Sequence, residues 1–282
     1  MGEAPCNFNA QKLANLANAF SKQPDDNHCK NAIGQISQYL TGKTLGEAPC
    51  DFNAQDFANL ANAFSKFPHD SHCKSAIERI ARYLTGQTWG EAPCNFNAQE
   101  LANLANAFSK QPDDRHCKSA IERIARYLTG QTWGEAPCNF NAQQLANLAN
   151  AFSKQPEAIA CKSMVERIAQ YLAGQTWGEA PCNFNAQELA NLANAFSKQP
   201  EAIACKSMVE RIARYLTGKT LGEAPCDFNA QQLANLANAF SRWPGEPLCD
   251  KALEKIALHL QSPQRPQASN LLGPVEVSHG QS

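Results

Sequence analysis

The 282-residue chain lacks most of the features that mark common functional classes. Its 25 Lys and Arg stand against 26 Asp and Glu, leaving a formal net charge of -1. A non-specific nucleic-acid binder carries a strong basic excess, which is missing. No apolar run approaches the roughly 18 residues that span a bilayer. The opening MGEAPCNF has neither a basic n-region nor an apolar h-region, so no secretory signal is read there. No segment alternates with period two, so little or no β-structure is expected. Glycine-rich phosphate loops, His-Glu-x-x-His and Gly-x-Ser-x-Gly do not occur. Catalysis needs a unique constellation of side chains, yet nearly every polar residue recurs four to six times along the chain. The expectation is a non-catalytic protein with no cofactor, no small-molecule substrate and no membrane contact.

Repetition takes the place of those features. The phrase GEAPC returns at Gly2, Gly46, Gly90, Gly134, Gly178 and Gly222, always 44 residues on and without insertion. The units are 2–45, 46–89, 90–133, 134–177, 178–221 and 222–261. Beyond Gln261 the pattern gives way to a polar segment with three prolines and no helical period, read as a flexible tail over 262–282.

The third unit shows the pattern within a repeat. Asn97 is placed to cap a helix. Leu101, Leu104, Ala105 and Phe108 then follow at helical spacing and make one apolar stripe. Pro112 ends that run. A second helix is expected from near His116, with Cys117, Ala120, Ile121, Ile124, Ala125 and Leu128 as its stripe and Gly130 as its C-terminal cap. One such hairpin cannot bury both stripes, but stacked copies can. The period falls in the range of about 40–47 residues typical of HEAT and armadillo repeats. The chain therefore reads as all-α, a right-handed α-solenoid of six two-helix repeats. The residue closing each unit, Leu45, Trp89, Trp133, Trp177 or Leu221, suits packing onto the next, and the same slot in the sixth is Arg265.

Twelve cysteines fall two per repeat. Within helical stripes they read as buried thiols acting as small hydrophobes, with a disulfide inside each repeat as the alternative. His28, His72 and His116 each precede a cysteine, which is not a metal-ligand spacing. Glu78 and Arg82, Glu122 and Arg126, and Glu210 and Arg214 have the i, i+4 spacing of surface ion pairs.

The polar residues of the first helix fall on one face, largely opposite the apolar stripe. They are Gln55, Asn59, Asn62 and Lys66; Gln99, Asn103, Asn106 and Lys110; Gln143, Asn147, Asn150 and Lys154; and Gln187, Asn191, Asn194 and Lys198. Asn is a poor residue for a helix interior, so two per helix require a reason. Stacked repeats would align these amides into ladders able to hold an extended peptide or the base edges of single-stranded RNA. The same asparagines could instead bond between repeats and set the stack in register, or be copies fixed by duplication alone. Three slots vary between repeats and could carry specificity. One holds Lys12, Asp56, Glu100, Gln144, Glu188 and Gln232. Another holds Gln23, Phe67, Gln111, Gln155, Gln199 and Trp243. The third is the turn before the second helix.

The tetrapeptides closing the first helices are SKQP at Ser21, SKFP at Ser65, SKQP at Ser109, Ser153 and Ser197, and SRWP at Ser241. With FNAQ-x-LANLANAFS ahead of them and a Cys-x-x-Ala/Met-Ile/Val run behind, they resemble the SKWP repeats of type III secretion effectors from plant-pathogenic bacteria. The likeness covers residues 2–261. It implies a protein made in the bacterial cytoplasm, delivered into a host cell without a cleavable signal, and acting there through protein contacts. A weaker likeness, to the octotricopeptide repeats of organelle RNA-binding proteins, rests on the Phe-x-x-Gln-x-Leu-Ala-Asn phrase. Three functions follow as expectations: a protein-binding scaffold, a single-stranded RNA binder, or a structural spacer within a longer array.

Overall fold

A computed structural model describes residues 8–92, 94–135, 138–176, 183–221 and 226–261. Among them are twelve α-helices and no strand. The odd-numbered helices are α1 (Ala10–Phe20), α3 (Ala54–Phe64), α5 (Ala98–Phe108), α7 (Ala142–Ser153), α9 (Ala186–Phe196) and α11 (Ala230–Phe240). The even-numbered ones are α2 (Asn27–Thr41), α4 (Ser71–Thr85), α6 (Arg115–Thr129), α8 (Ile159–Ala173), α10 (Ile203–Thr217) and α12 (Pro247–Gln261). Each odd helix packs against the odd helices before and after it, each even helix against its even neighbours, and every odd helix against the even helix that follows. Two helical layers result, consistent with a helical repeat. The tail 262–282, Trp177 and Arg265 lie outside the described residues.

Local chemistry explains where the helices start. The Asn9, Asn53, Asn97, Asn141, Asn185 and Asn229 side chains each accept an N–H from the first turn of an odd helix. This satisfies one of the orphan donors that every helix start exposes. Asp26, Asp70 and Asp114 do the same for α2, α4 and α6. In α8 and α10 the cap position is Ala158 and Ala202, and no side-chain cap forms. The α5 helix closes at Phe108, ahead of Pro112.

Gly130 is the C-terminal cap of α6, as expected, with a right-handed backbone. Gly130 sits at φ -82°, a value open to any residue, and its N–H bonds the Tyr127 carbonyl at 3.3 Å. Left-handed glycines fall four residues later, at Gly46 (φ 89°), Gly90 (φ 96°) and Gly134 (φ 94°). There the chain turns into the next repeat, with the Gly90 N–H bonded to the Cys94 carbonyl at 3.1 Å.

The apolar stripes meet between the layers. Leu101, Leu104, Ala105 and Phe108 of α5 are fully buried, as are Cys117, Ala120, Ile121, Ile124, Ala125 and Leu128 of α6. The described cysteines are free thiols, and all but the half-buried Cys29 are buried. The Trp89 ring packs on Phe96 and Tyr127 of the following repeat, at 5.0 and 5.7 Å between centroids, and Trp133 packs likewise on Phe140 and Tyr171.

Candidate functional site

The polar face of the odd helices separates into four rows. Nearest the helix starts, Gln55, Gln99, Gln143 and Gln187 are exposed. Some of these amides are engaged. Gln99 donates to Asn103 Oδ1 at 2.9 Å, and its own Oε1 accepts from Gln144 Nε2 of the next repeat at 2.9 Å. The same chain runs from Gln232 through Gln187 to Asn191.

The middle rows are the asparagines, all half-buried: Asn59, Asn103, Asn147 and Asn191, then Asn62, Asn106, Asn150 and Asn194. Among the described residues, no asparagine side chain of this face bonds to an asparagine of a neighbouring repeat. The second set goes further. The side-chain amides of Asn62, Asn106, Asn150 and Asn194 make no hydrogen bond among the described residues, although their backbone carbonyls accept from Ser65, Ser109, Ser153 and Ser197. The amide bonds that do cross between repeats on this face are made by glutamines, at two junctions, and not by the asparagines.

The last row is the lysines, and these do cross the interface. Lys66 Nζ reaches back to Ser21 O and Oγ at 3.2 and 3.3 Å. Lys110 contacts Ser65 in the same way at 3.1 and 3.2 Å, Lys154 contacts Ser109 at 3.3 and 3.3 Å, and Lys198 meets Ser153 Oγ at 3.3 Å. The side chains remain exposed overall, but their ammonium groups are partly shielded by the protein. Burial lowers the pKa of each, and the adjoining cation lowers it further: Lys22 for Lys66, Lys154 and Lys66 for Lys110, Lys198 for Lys154, and Arg242 for Lys198.

The variable slots are mostly structural. Asp56, Glu100, Gln144, Glu188 and Gln232 are buried, and each accepts the backbone N–H of the capping asparagine. This is the reciprocal half of a capping box. The slot after Ser-Lys faces the preceding repeat: Gln111 donates to the Lys74 carbonyl, Gln199 to the Lys162 carbonyl, and Phe67 is buried. In the third slot the loss of the Asp cap coincides with the most exposed large apolar residues in the described chain, Ile159 (80%) and Ile203 (85%).

A second row of inter-repeat cations runs along the even helices, and sequence reasoning missed it. Arg167 donates to the carbonyls of Leu128, Thr129 and Gln131 at 3.2, 2.7 and 2.7 Å, and its guanidinium lies 5.3 Å from the Trp133 ring. Arg211 repeats this on Leu172, Ala173 and Gln175, while Lys255 reaches Thr217 and Lys219. These donors satisfy the orphan carbonyls at the end of the preceding even helix. Only the recurrence of a cation at one slot of repeats two to six, at Arg79, Arg123, Arg167, Arg211 and Lys255, could have signalled them. Of the expected ion pairs, Glu122 and Arg126 meet at 2.6 Å, whereas Glu210 pairs with Lys206 and Glu78 lies 4.0 Å from His116 of the next repeat.

Comparison with protein-family models, with curated proteins and with solved structures gives no match.

Proposed function

We propose that this chain is a non-catalytic, protein-binding helical-repeat scaffold: a right-handed, HEAT- or armadillo-like α-solenoid of six repeats within residues 1–261, followed by a flexible tail. Its partner surface is the polar face of the odd helices. The observation that supports this reading is the row formed by Asn62, Asn106, Asn150 and Asn194. Each is a poor helix former, each is half-buried, and none has a side-chain hydrogen-bond partner among the described residues. Amides kept at a helix-propensity cost, with donor and acceptor both unused, suit a ligand that supplies the complementary groups. The setting proposed for this activity is the interior of a host cell after delivery from a bacterium, and it rests on the likeness of the Ser-Lys-x-Pro tetrapeptides to SKWP repeats.

The test is affinity capture from plant-cell lysate, with and without RNase, using the native chain and a variant with Asn106, Asn150 and Asn194 changed to alanine. Circular dichroism checks the fold of both. Retention that survives RNase and disappears with the variant is the expected result. Capture abolished by RNase would replace this reading with single-stranded RNA binding, and identical capture by a folded variant would make the face structural.

A further inference from the structure

The chain as a whole is balanced, with a net charge of -1. The lysine row is a run of like charge within it, and none of its members has an acidic partner among the described residues. Along the ends of the odd helices, Lys66, Lys110, Lys154 and Lys198 follow one another, one per repeat. The groups close enough to affect their titration are further cations, with Lys22 and Arg242 at the two extremes. No carboxylate of the described residues lies within 4.0 Å of any of the four ammonium groups. An ammonium group has three donors. The serine contacts use at most two of them, so at least one N–H per repeat remains. One helical turn before each lysine stands the unpaired Asn62, Asn106, Asn150 or Asn194. The repeating unit of the face is therefore one cation and one free amide.

The spacing of that unit is the separation of packed helices, roughly 8–10 Å. A polyproline II chain has three residues per turn and rises about 3.1 Å per residue. Every third side chain therefore returns to the same face after about 9 Å. Its backbone makes no internal hydrogen bonds and offers free carbonyls and N–H groups all along its length. A sequence-tolerant RNA site would instead require aromatic rings on which bases stack. The odd helices bury theirs: Phe108, Phe152 and Phe196 are at most 1% exposed.

Building on the proposed partner face, we infer that its occupant is an extended acidic peptide in the polyproline II conformation, with a carboxylate at every third residue. The carboxylates sit on Lys66, Lys110, Lys154 and Lys198. The peptide backbone bonds the amides of Asn62, Asn106, Asn150 and Asn194.

The experiment titrates the full chain with fluorescein-labelled (Glu-Pro-Pro)5 by anisotropy. It also uses (Gln-Pro-Pro)5, an isomer of the first peptide with its glutamates grouped at one end, and oligouridine. Binding of (Glu-Pro-Pro)5, at least tenfold tighter than of either control peptide and weakened by salt, is expected. Lys110→Gln with Lys154→Gln should weaken it at least tenfold. Because those lysines also join repeats, Asn106→Asp with Asn150→Asp gives an independent check: it leaves the serine contacts in place, adds repulsion, and should weaken binding by a similar factor. Equal affinity for the grouped isomer, no binding of (Glu-Pro-Pro)5, or full activity of the folded Asp variant would each overturn the inference. So would oligouridine binding through the same lysines in the absence of peptide binding. If the peptide fails while asparagine-dependent, RNase-resistant capture persists, the acidic ligand is wrong and the protein-binding face stands.

Discussion

Lys110 Nζ donates to both the carbonyl and the hydroxyl of Ser65, 45 residues earlier in the chain. One side chain thus joins two repeats at the point where the earlier odd helix ends. The Ser65 hydroxyl in turn donates to the Asn62 carbonyl. Ser65→Ala removes both hydroxyl contacts and should cost about 1–2 kcal/mol, on the scale of a hydrogen bond to a charged group. The check is urea denaturation against Ser241→Ala. Ser241 is exposed and accepts from no later lysine in the described chain, so its removal should cost less. Equal losses at the two sites would mean that the cross-repeat contact contributes nothing.

Two donors compete for equivalent carbonyls in successive repeats. Trp89 Nε1 bonds Leu84 O at 3.0 Å, whereas the equivalent Leu128 O is taken by Arg167, leaving Trp133 Nε1 buried without a protein partner. A buried donor left unpaired is costly. Trp89→Phe should therefore destabilise by about 1 kcal/mol more than Trp133→Phe. Paired denaturant melts measure the difference, and the reverse order would refute the competition.

The uncapped helices offer a gain. Asp114 accepts the Cys117 N–H at 2.7 Å, while Ala158 and Ala202 stand at the same position and accept nothing. Ala158→Asp should raise stability by about 1 kcal/mol. A lower melting temperature for that variant would show that the turn before α8 cannot adopt the capping geometry.

Stability should fall above the ordinary thiol pKa of 9.0. Burial pushes Cys94 and Cys138 up to about 11, and Cys73, Cys161 and Cys205 to about 12. Between those values and 9.0 the native state keeps protons that the unfolded chain releases. Each such thiol therefore removes about 1.4 kcal/mol per pH unit. The lysines have the opposite sign: their lowered pKa means that the native state sheds protons first, which adds stability as pH rises toward 10.5. The buried thiols outnumber them and prevail. Urea midpoints at about pH 8 and about pH 10, under anaerobic reducing conditions, test this, and a midpoint that holds or rises would contradict it.

What could be read in advance depended on distance along the chain. Asn97 as a cap and the stripes of α5 and α6 rest on contacts within one helical turn, and periodicity alone revealed them. The slot at Glu100 was also legible, because Asn97 three residues before it gives the spacing of a capping box, but its variation between repeats reads as specificity instead. The Arg167 clamp and the Lys110–Ser65 bond join residues 36–45 apart. Their pairing depends on how one hairpin settles against the next, which no local pattern encodes.

The bond from each lysine to the serine of the preceding repeat also bears on how such a gene can change. Four of the five internal junctions present the same serine on one side and the same lysine on the other, and the fifth sets Arg242 in the lysine's place. Unequal crossing-over that removes or inserts a whole unit therefore rejoins surfaces that already fit, and no compensating substitution is required. Copy number becomes a freely adjustable trait, and under the proposed binding mode each added copy would lengthen the ligand read by three residues.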